Sequence, residues 1–356
     1  MTTRKSSNHP TFSLMAASLL TSILFCSASL FAQKPSFVTF EAPDAGVGNL
    51  QGTVPTSISN SGIIAGYYLD TNTLSHGFFR LTNGTIVEFN VPGLSGVHVS
   101  SVNSRGQIVG NDSRVQTVSV YHGWLRNPNG HFVLIDPPGS AFTSVSGIND
   151  NGQIAGTYQD AAGVLHGFFR DFNGTYTTID DPDAAQSIQE GTQVFAISPT
   201  GATIGKYDDE NTAGIRGFVR DQFGNYTNFD AVAGSDSIDI FPIAINLGGE
   251  ITGDYFDSDF VSHSFVRDAS GVITIFDMPN STGTNPTGMN DSNIIVGEWT
   301  DSQFNEKGFQ RDGSGNLTSL SVPIANQGTF ANAINNSRRI TGYYWDTANA
   351  AHGFVK

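Results

Sequence analysis

The chain has 356 residues, 38% of them apolar and 14% charged, with 40 Gly, 14 Pro and one Cys. That is enough apolar material for a packed protein and too much for intrinsic disorder, and the glycines lack the three-residue period of collagen. Lys and Arg total 17 against 32 Asp and Glu, a net charge of -15, so there is no basic footprint for nucleic acid and little attraction to an anionic membrane surface.

Residues 1–32 read as a secretory signal peptide. Arg4 and Lys5 precede an apolar run from Leu14 to Phe31, and small residues lead to Ala32 and Gln33. The run is short and broken by Ser18, Ser22, Ser27 and Ser29, which argues against a membrane anchor. A lipoprotein signal would use Cys26, but bulky Phe25 stands before it where a small residue is expected. Cleavage would remove two basic residues, no acid and the one cysteine. The expected mature chain, 33–356, is therefore more acidic still, with no disulfide, thiolate metal site or cysteine nucleophile, and is expected to be secreted or periplasmic.

From there the sequence repeats. A pattern close to Ile-Asn-x-x-Gly-x-Ile-x-Gly starts at Ile58, Val102, Ile148, Ile197, Ile245, Met289 and Ile334, with Ser59 and Ser198 in place of Asn. Its closing glycines, Gly66, Gly110, Gly156, Gly205, Gly253, Gly297 and Gly342, recur every 44 to 49 residues. Each unit reads as four strands, a to d. In the third, a turn over Asn149-Asp150-Asn151-Gly152 leads into strand b at 153–158, strand c covers 166–170, and strand d runs over 176–180 until Pro182 stops it. No mature segment has sustained helical periodicity. The arithmetic predicts an all-β, seven-bladed propeller as a single domain. The last unit ends at Lys356 without a strand d, and Phe37-Val38-Thr39-Phe40-Glu41-Ala42-Pro43 matches the missing strand, so residues 37–43 are expected to close the ring with Glu41 opposite His352.

Strand c begins with His76, His122, His166, Arg216, His263, Lys307 and His352. An acid stands six residues earlier in five units (Asp70, Asp160, Asp257, Asp301, Asp346), and Asp209 stands seven before Arg216. Fourteen residues later comes Asn90, Asp136, Asp180, Asp230, Asp277 or Ser321, placing His166 opposite Asp180. An Asp-His-Asp group suggests general-base chemistry. Arginine in the same slot cannot take up a proton, so the group is read as a cross-strand tie. The next inward position, Phe78, Trp124, Phe168, Phe218, Phe265, Phe309 and Phe354, is uniformly aromatic and is read as the contact between blades. Gly46–Gly52 lacks the helix of a phosphate loop, and Asp257-Ser258-Asp259 and Asp208-Asp209-Glu210 lack a full calcium loop.

The run His-Gly-Phe-x-Arg, as in His76 to Arg80 and His166 to Arg170, together with the upstream Gly-x-Ile-x-Gly, resembles the bacterial extracellular HAF-repeat family, with Gly for that family's Ala. The resemblance spans the mature chain and implies export and repeat architecture, but no activity.

Function is therefore sought where units differ. The d–a loops after the third and fourth units are the longest between complete units, and carry Asp183, Gln189, Glu190, Gln193, Asp236 and Asp239 as candidate ligand-binding residues. One reading is a non-catalytic binding or scaffold module for a glycan or peptide, with a divalent cation such as calcium among the ligands. The other is a secreted carbohydrate-active hydrolase or lyase using a carboxylate pair such as Glu190 and Asp236. No membrane span is expected in the mature chain, and a monomer is expected.

Overall fold

A computed structural model describes residues 36–112, 121–211, 214–232 and 239–356. The signal segment with Cys26, and Asp236, lie outside them. The described chain is all strand and turn, with no helix long and apolar enough to cross a membrane. It is a seven-bladed β-propeller in which each blade is a four-stranded antiparallel meander.

The third blade shows how the repeat becomes structure. Strand a is Ser140–Ile148, b is Ile154–Asp160, c is Leu165–Arg170 and d is Tyr176–Ile179. Gly152 closes the a–b turn at φ +79°, a backbone that Gly adopts without steric cost. The closing glycine of the motif has a different task. In every blade strand a carries a register shift opposite it, as between Val194 and Ala196 or Pro242 and Ala244. The bulged backbone presses so close that a Cβ on Gly205 would lie 1.8 Å from the Gln193 carbonyl oxygen. The motif glycine is thus the counterpart of a β-bulge.

Alternation along strand c puts the aromatic on the face toward a neighbouring blade. All seven, Phe78, Trp124, Phe168, Phe218, Phe265, Phe309 and Phe354, have no exposed surface, and burying each ring contributes about 2–3 kcal/mol. Four of the arginines two residues on cross between blades: Arg80, Arg126, Arg267 and Arg311 lie 5.0 to 5.2 Å over Phe40, Phe89, Phe229 and Phe276 of the preceding strand d. Glycine before the aromatic makes room for strand d or the next blade: a Cβ on Gly77 would meet the Phe89 ring at 2.4 Å, and one on Gly167 would meet Val194 at 2.6 Å.

The first and last described segments meet in the last blade. Thr329–Ile334, Ile340–Trp345 and Ala350–Val355 supply strands a to c. Strand d is Val38–Phe40, paired antiparallel as Val38 to Val355 and Phe40 to Gly353. It is shorter than the expected 37–43, because the chain turns away at Glu41 and Pro43 cannot donate to a ladder. A two-residue parallel bridge, Gln51 to Ala350 and Gly52 to Ala351, also joins the first blade to the last.

Candidate functional site

The meander sends a–b and c–d turns to one end of the ring and b–c and d–a loops to the other. At the a–b end, the motif asparagine does two things. Its Oδ1 accepts N–H bonds inside its own turn, as Asn149 does from Asn151 and Gln153, and its Nδ2 donates to a carbonyl of the next blade. Asn103 reaches Asn149 O at 3.0 Å, Asn149 reaches Ser198 O at 3.1 Å, Asn290 reaches Asn335 O at 3.0 Å and Asn335 reaches Ser59 O at 2.9 Å. Asn103, Asn149, Asn246 and Asn290, with the motif's Ile, Val and Met side chains, line a central cavity of about 300 Å3. Its lining repeats around the ring, which marks it as part of the scaffold.

The basic slot of strand c is also scaffold. His166 Nδ1 lies 2.8 Å from Asp180 and Nε2 3.6 Å from Asp160; His263 lies 2.8 Å from Asp277 and 3.2 Å from Asp257. His352 bridges Glu41 at 2.5 Å and Asp346 at 3.2 Å, so the terminal strand forms the expected pair. Arg216 makes the same two contacts, 2.9 Å to Asp230 and 3.6 Å to Asp209, while Lys307 has Asp301 at 2.6 Å. Asp257, proposed and rejected as a calcium loop, caps its own turn through the Asp259 and Val261 N–H groups.

Of the six residues chosen from loop length, Asp236 lies outside the described residues, and the other five make separate contacts. Gln189 and Glu190 are exposed, and their loop is zipped onto the preceding b–c hairpin: Gln189 N–H donates to Gly163 O and Leu165 N–H to Glu190 O. The loop entering the first blade docks in the same way, Leu50 N–H on Asn349 O, while the loop entering the last blade bonds that blade's own strand b, Gln327 N–H on Trp345 O. Here the extra length is taken up in docking the loop on the ring. Asp183 turns toward Asn228, 3.5 Å away. Gln193 lies half-buried in strand a of the fourth blade. Asp239 is held by Lys206 through both oxygens, at 2.9 and 3.0 Å. Glu190 and Asp239 do share one neighbour, Asp208, whose pKa is raised by burial with their like charge adding to it. Among the described residues no three His, Cys, Asp or Glu groups gather to hold a metal ion.

The position that does vary was legible but not singled out: the residue after the closing glycine, Tyr67, Asn111, Thr157, Lys206, Asp254, Glu298 or Tyr343. Each projects from strand b at an inner level of the ring, and several reach strand a of the next blade. Asn111 exchanges hydrogen bonds with the Val145 backbone, Thr157 with that of Val194, and Tyr67 packs on His98 at 5.0 Å. The fifth and sixth blades differ, for they place carboxyls here with no cation in ion-pair reach among the described residues. Asp254 is 8% exposed; burial, with the like charges of Asp239 and Glu298, pushes its carboxyl up to about 7, against a Ser262 hydroxyl at 3.4 Å. Burial also raises Glu298, and Glu306 adds to it.

Strand b of each of these blades continues directly into a turn that displays an aromatic. Phe260 is 73% exposed at φ +61° and Phe304 is 80% exposed at φ +63°. A bulky residue in left-handed backbone costs free energy that an exposed ring does not recover by packing. Phe304, Glu306, Lys307 and Gln327 line a cavity of about 470 Å3 beside the sixth blade, on the face of the b–c and d–a loops. A second groove of about 500 Å3, lined by Asp44, Tyr68, His76 and Glu88, surrounds a histidine tie of the first blade.

No family model matches the chain, and no curated protein matches its sequence. Solved propellers do resemble it in fold. The β-propeller domain of the Trilobed protease from Pyrococcus furiosus, described as having an open velcro topology, is similar with a TM-score of 0.59 at 8% identity, covering 85% of this chain and 94% of that one. Virginiamycin B lyase from Staphylococcus aureus, as a catalytically inactive variant with quinupristin, gives 0.57 at 15% identity over 90% and 99%. A streptogramin B lyase gives 0.57 at 13% over 90% and 97%. At such identities the likeness establishes the propeller alone, since one fold hosts many functions.

Proposed function

We infer that this chain is an exported binding propeller that takes a basic, partly apolar peptide on the b–c and d–a face of its fifth and sixth blades. The observation that carries the reading is the pairing of two carboxyls without an ion-pair partner among the described residues, buried Asp254 and half-buried Glu298, with the exposed left-handed aromatics Phe260 and Phe304 on the same two blades. A Lys or Arg side chain supplies the missing charge, and its neighbours supply apolar surface for the rings. Export is supported by the signal-like N-terminus and by the resemblance to extracellular HAF repeats. The hydrolase reading gains no comparable support: Glu190 stands exposed on a packed loop, and Asp236 lies outside the described residues.

The test is calorimetric titration of the mature protein with a panel of short peptides, each containing Lys and Phe or the same sequence with Gln and Ala, beside a panel of neutral glycans. Binding confined to basic aromatic peptides and lost in Asp254→Asn/Glu298→Gln supports the assignment. Equal binding of the uncharged peptides, or unchanged affinity in the double variant, overturns it.

A further inference from the structure

One d–a connection breaks the repeat at a buried position. The residue two places past the end of strand d is Ala42, Val91, Pro137, Ala231, Met278 and Val322 in six connections, all apolar and all buried. In the connection between the third and fourth blades it is Asp181, 2% exposed. Its backbone keeps the common geometry, since Asp181 N–H donates to Thr192 Oγ1 at 2.8 Å as Ala42 N–H does to Thr53 Oγ1 at 2.9 Å. The departure is therefore in the side chain alone, and burying a carboxylate without a compensating charge is costly.

Three buried polar atoms around this point have no hydrogen-bond partner: Asp181 Oδ2, the Tyr207 hydroxyl and Asn228 Oδ1. Tyr207 has no exposed surface. Its counterpart in the third blade, Tyr158, has Thr178 Oγ1 at 3.4 Å; in the fourth blade Asn228 holds the Thr178 position, and its amide turns elsewhere. Asn228 Nδ2 reaches Asp181 Oδ1 at 3.3 Å and Asp183 Oδ2 at 3.5 Å, two long bonds that leave a neutral amide between two acids. The nearest cation is spent, because Arg216 binds Asp230 and Asp209. Burial, with the charges of Asp181, Asp209 and Asp183, pushes the Tyr207 phenol up to about 12, and burial raises Asp181 as well.

With the Asn228 amide turned over so that Oδ1 rather than Nδ2 faces Asp181 and Asp183, the donors are all oxygens: two carboxylates, an amide carbonyl and a phenol. Such a set suits a hard cation, and calcium in particular, which accepts six to eight oxygens in irregular geometry, where magnesium requires a near-ideal octahedron. The near-complete burial of Asp181 and Tyr207 suits a monatomic species rather than a larger ligand, and Asp183 is the exposed member of the set. We propose that Asp181, Asp183, Asn228 and Tyr207 form a calcium site between the third and fourth blades, separate from the ligand surface of the fifth and sixth.

Chelator-stripped mature protein titrated with calcium chloride by calorimetry and thermal melting tests this. The wild type should bind calcium and melt about 5 °C higher at a hundredfold excess over Kd. Asp181→Ala, which installs the residue of two sister blades, should melt no lower than wild type in chelator yet lose the calcium response; Asn228→Asp, adding charge to the same oxygen set, should keep or strengthen it. No heat and no shift in the wild type, as expected if only water fills the pocket, overturns the proposal. So does an undiminished response in Asp181→Ala, or an equal response to magnesium or sodium.

Discussion

Asp254 makes stability depend on pH in a defined direction. An unfolded aspartate titrates near 3.8, and this one is pushed up to about 7. Between those values the unfolded chain releases its proton while the folded protein keeps it, so stability falls as pH rises and levels off above the folded value, by an amount on the order of 4 kcal/mol. Asp254→Asn should therefore melt above the wild type at pH 8 and level with it at pH 4. A difference independent of pH would refute the assignment. His263 and His352 act in the same direction near neutrality. Burial opposes their protonation, but hydrogen bonds to Asp277 and Asp257, and to Glu41 and Asp346, outweigh it and hold both above the ordinary value. Their contribution is complete below about pH 6.5 and is lost as pH climbs through the raised values, so a smaller slope should persist in the Asn variant. His166 belongs to the same class of tie and is exchangeable with the cation that Arg216 already supplies. His166→Arg should leave the denaturation midpoint nearly unchanged, and His166→Ala should cost about 1 kcal/mol for a partly exposed pair; an Arg variant as damaged as the Ala variant would show that shape, not charge, is what the slot requires.

Strand d of the last blade is three residues long, yet it closes the ring. It brings Phe37 against Phe354 at 5.3 Å, Phe40 against Phe78 at 6.2 Å and Glu41 onto His352. Without it Ala350–Val355 would present an unpaired edge, and the first and last blades would lose an aromatic contact each. Deleting residues 33–43 from the mature chain should lower the unfolding midpoint by far more than removing an equal length from an exposed loop, with an onset of concentration-dependent association; an unchanged midpoint would mean that the ring is held elsewhere. Strands and their partners were readable because the repeat supplies seven independent copies of each residue pattern: His166 opposite Asp180 and Glu41 opposite His352 follow from hairpin symmetry. The closing glycine was readable as a position but not as a cause, since a bulge on strand a leaves no residue type of its own. Loop length alone does not separate a ligand loop from a docked one, because a long loop can dock on a hairpin, as 181–191 does. The informative signal lay in columns of the repeat that change chemistry while staying buried or half-buried, Asp254 and Glu298 after the closing glycine and Asp181 after strand d. Only the burial of those columns separates them from ordinary surface variation.

At the scale of the whole ring, seven blades must be held in a circle by contacts between neighbours, because no disulfide is available among the described residues. The buried aromatics supply most of that adhesion, but they are non-directional. The asparagines at the a–b end add direction, each joining its own turn to the next blade, and they form a hoop with two gaps. Asn103 and Asn149 link the second, third and fourth blades; Asn246, Asn290 and Asn335 link the fifth, sixth, seventh and first, with the Asn246 bond the longest at 3.5 Å. The gaps fall at Ser59 and Ser198, whose hydroxyls cap their own turns but do not reach the next blade. An asparagine at 198 would keep the turn, as Asn149 does with the same N–H pattern, and would add a donor toward Asn246 O. That oxygen accepts only the Gly249 N–H of its own turn, as Asn149 O accepts that of Gly152 while also taking the Asn103 amide. Ser198→Asn should therefore stabilise the protein by about 1 kcal/mol, the net value of one buried hydrogen bond. Ser59→Asn should do the same toward Asn103 O, and the two should add, because they act at different blade interfaces. Chemical denaturation of the two single variants and the double variant measures this. A loss of stability in both single variants would show that the serines are there to relieve a crowded inner ring, and that the hoop is open by necessity.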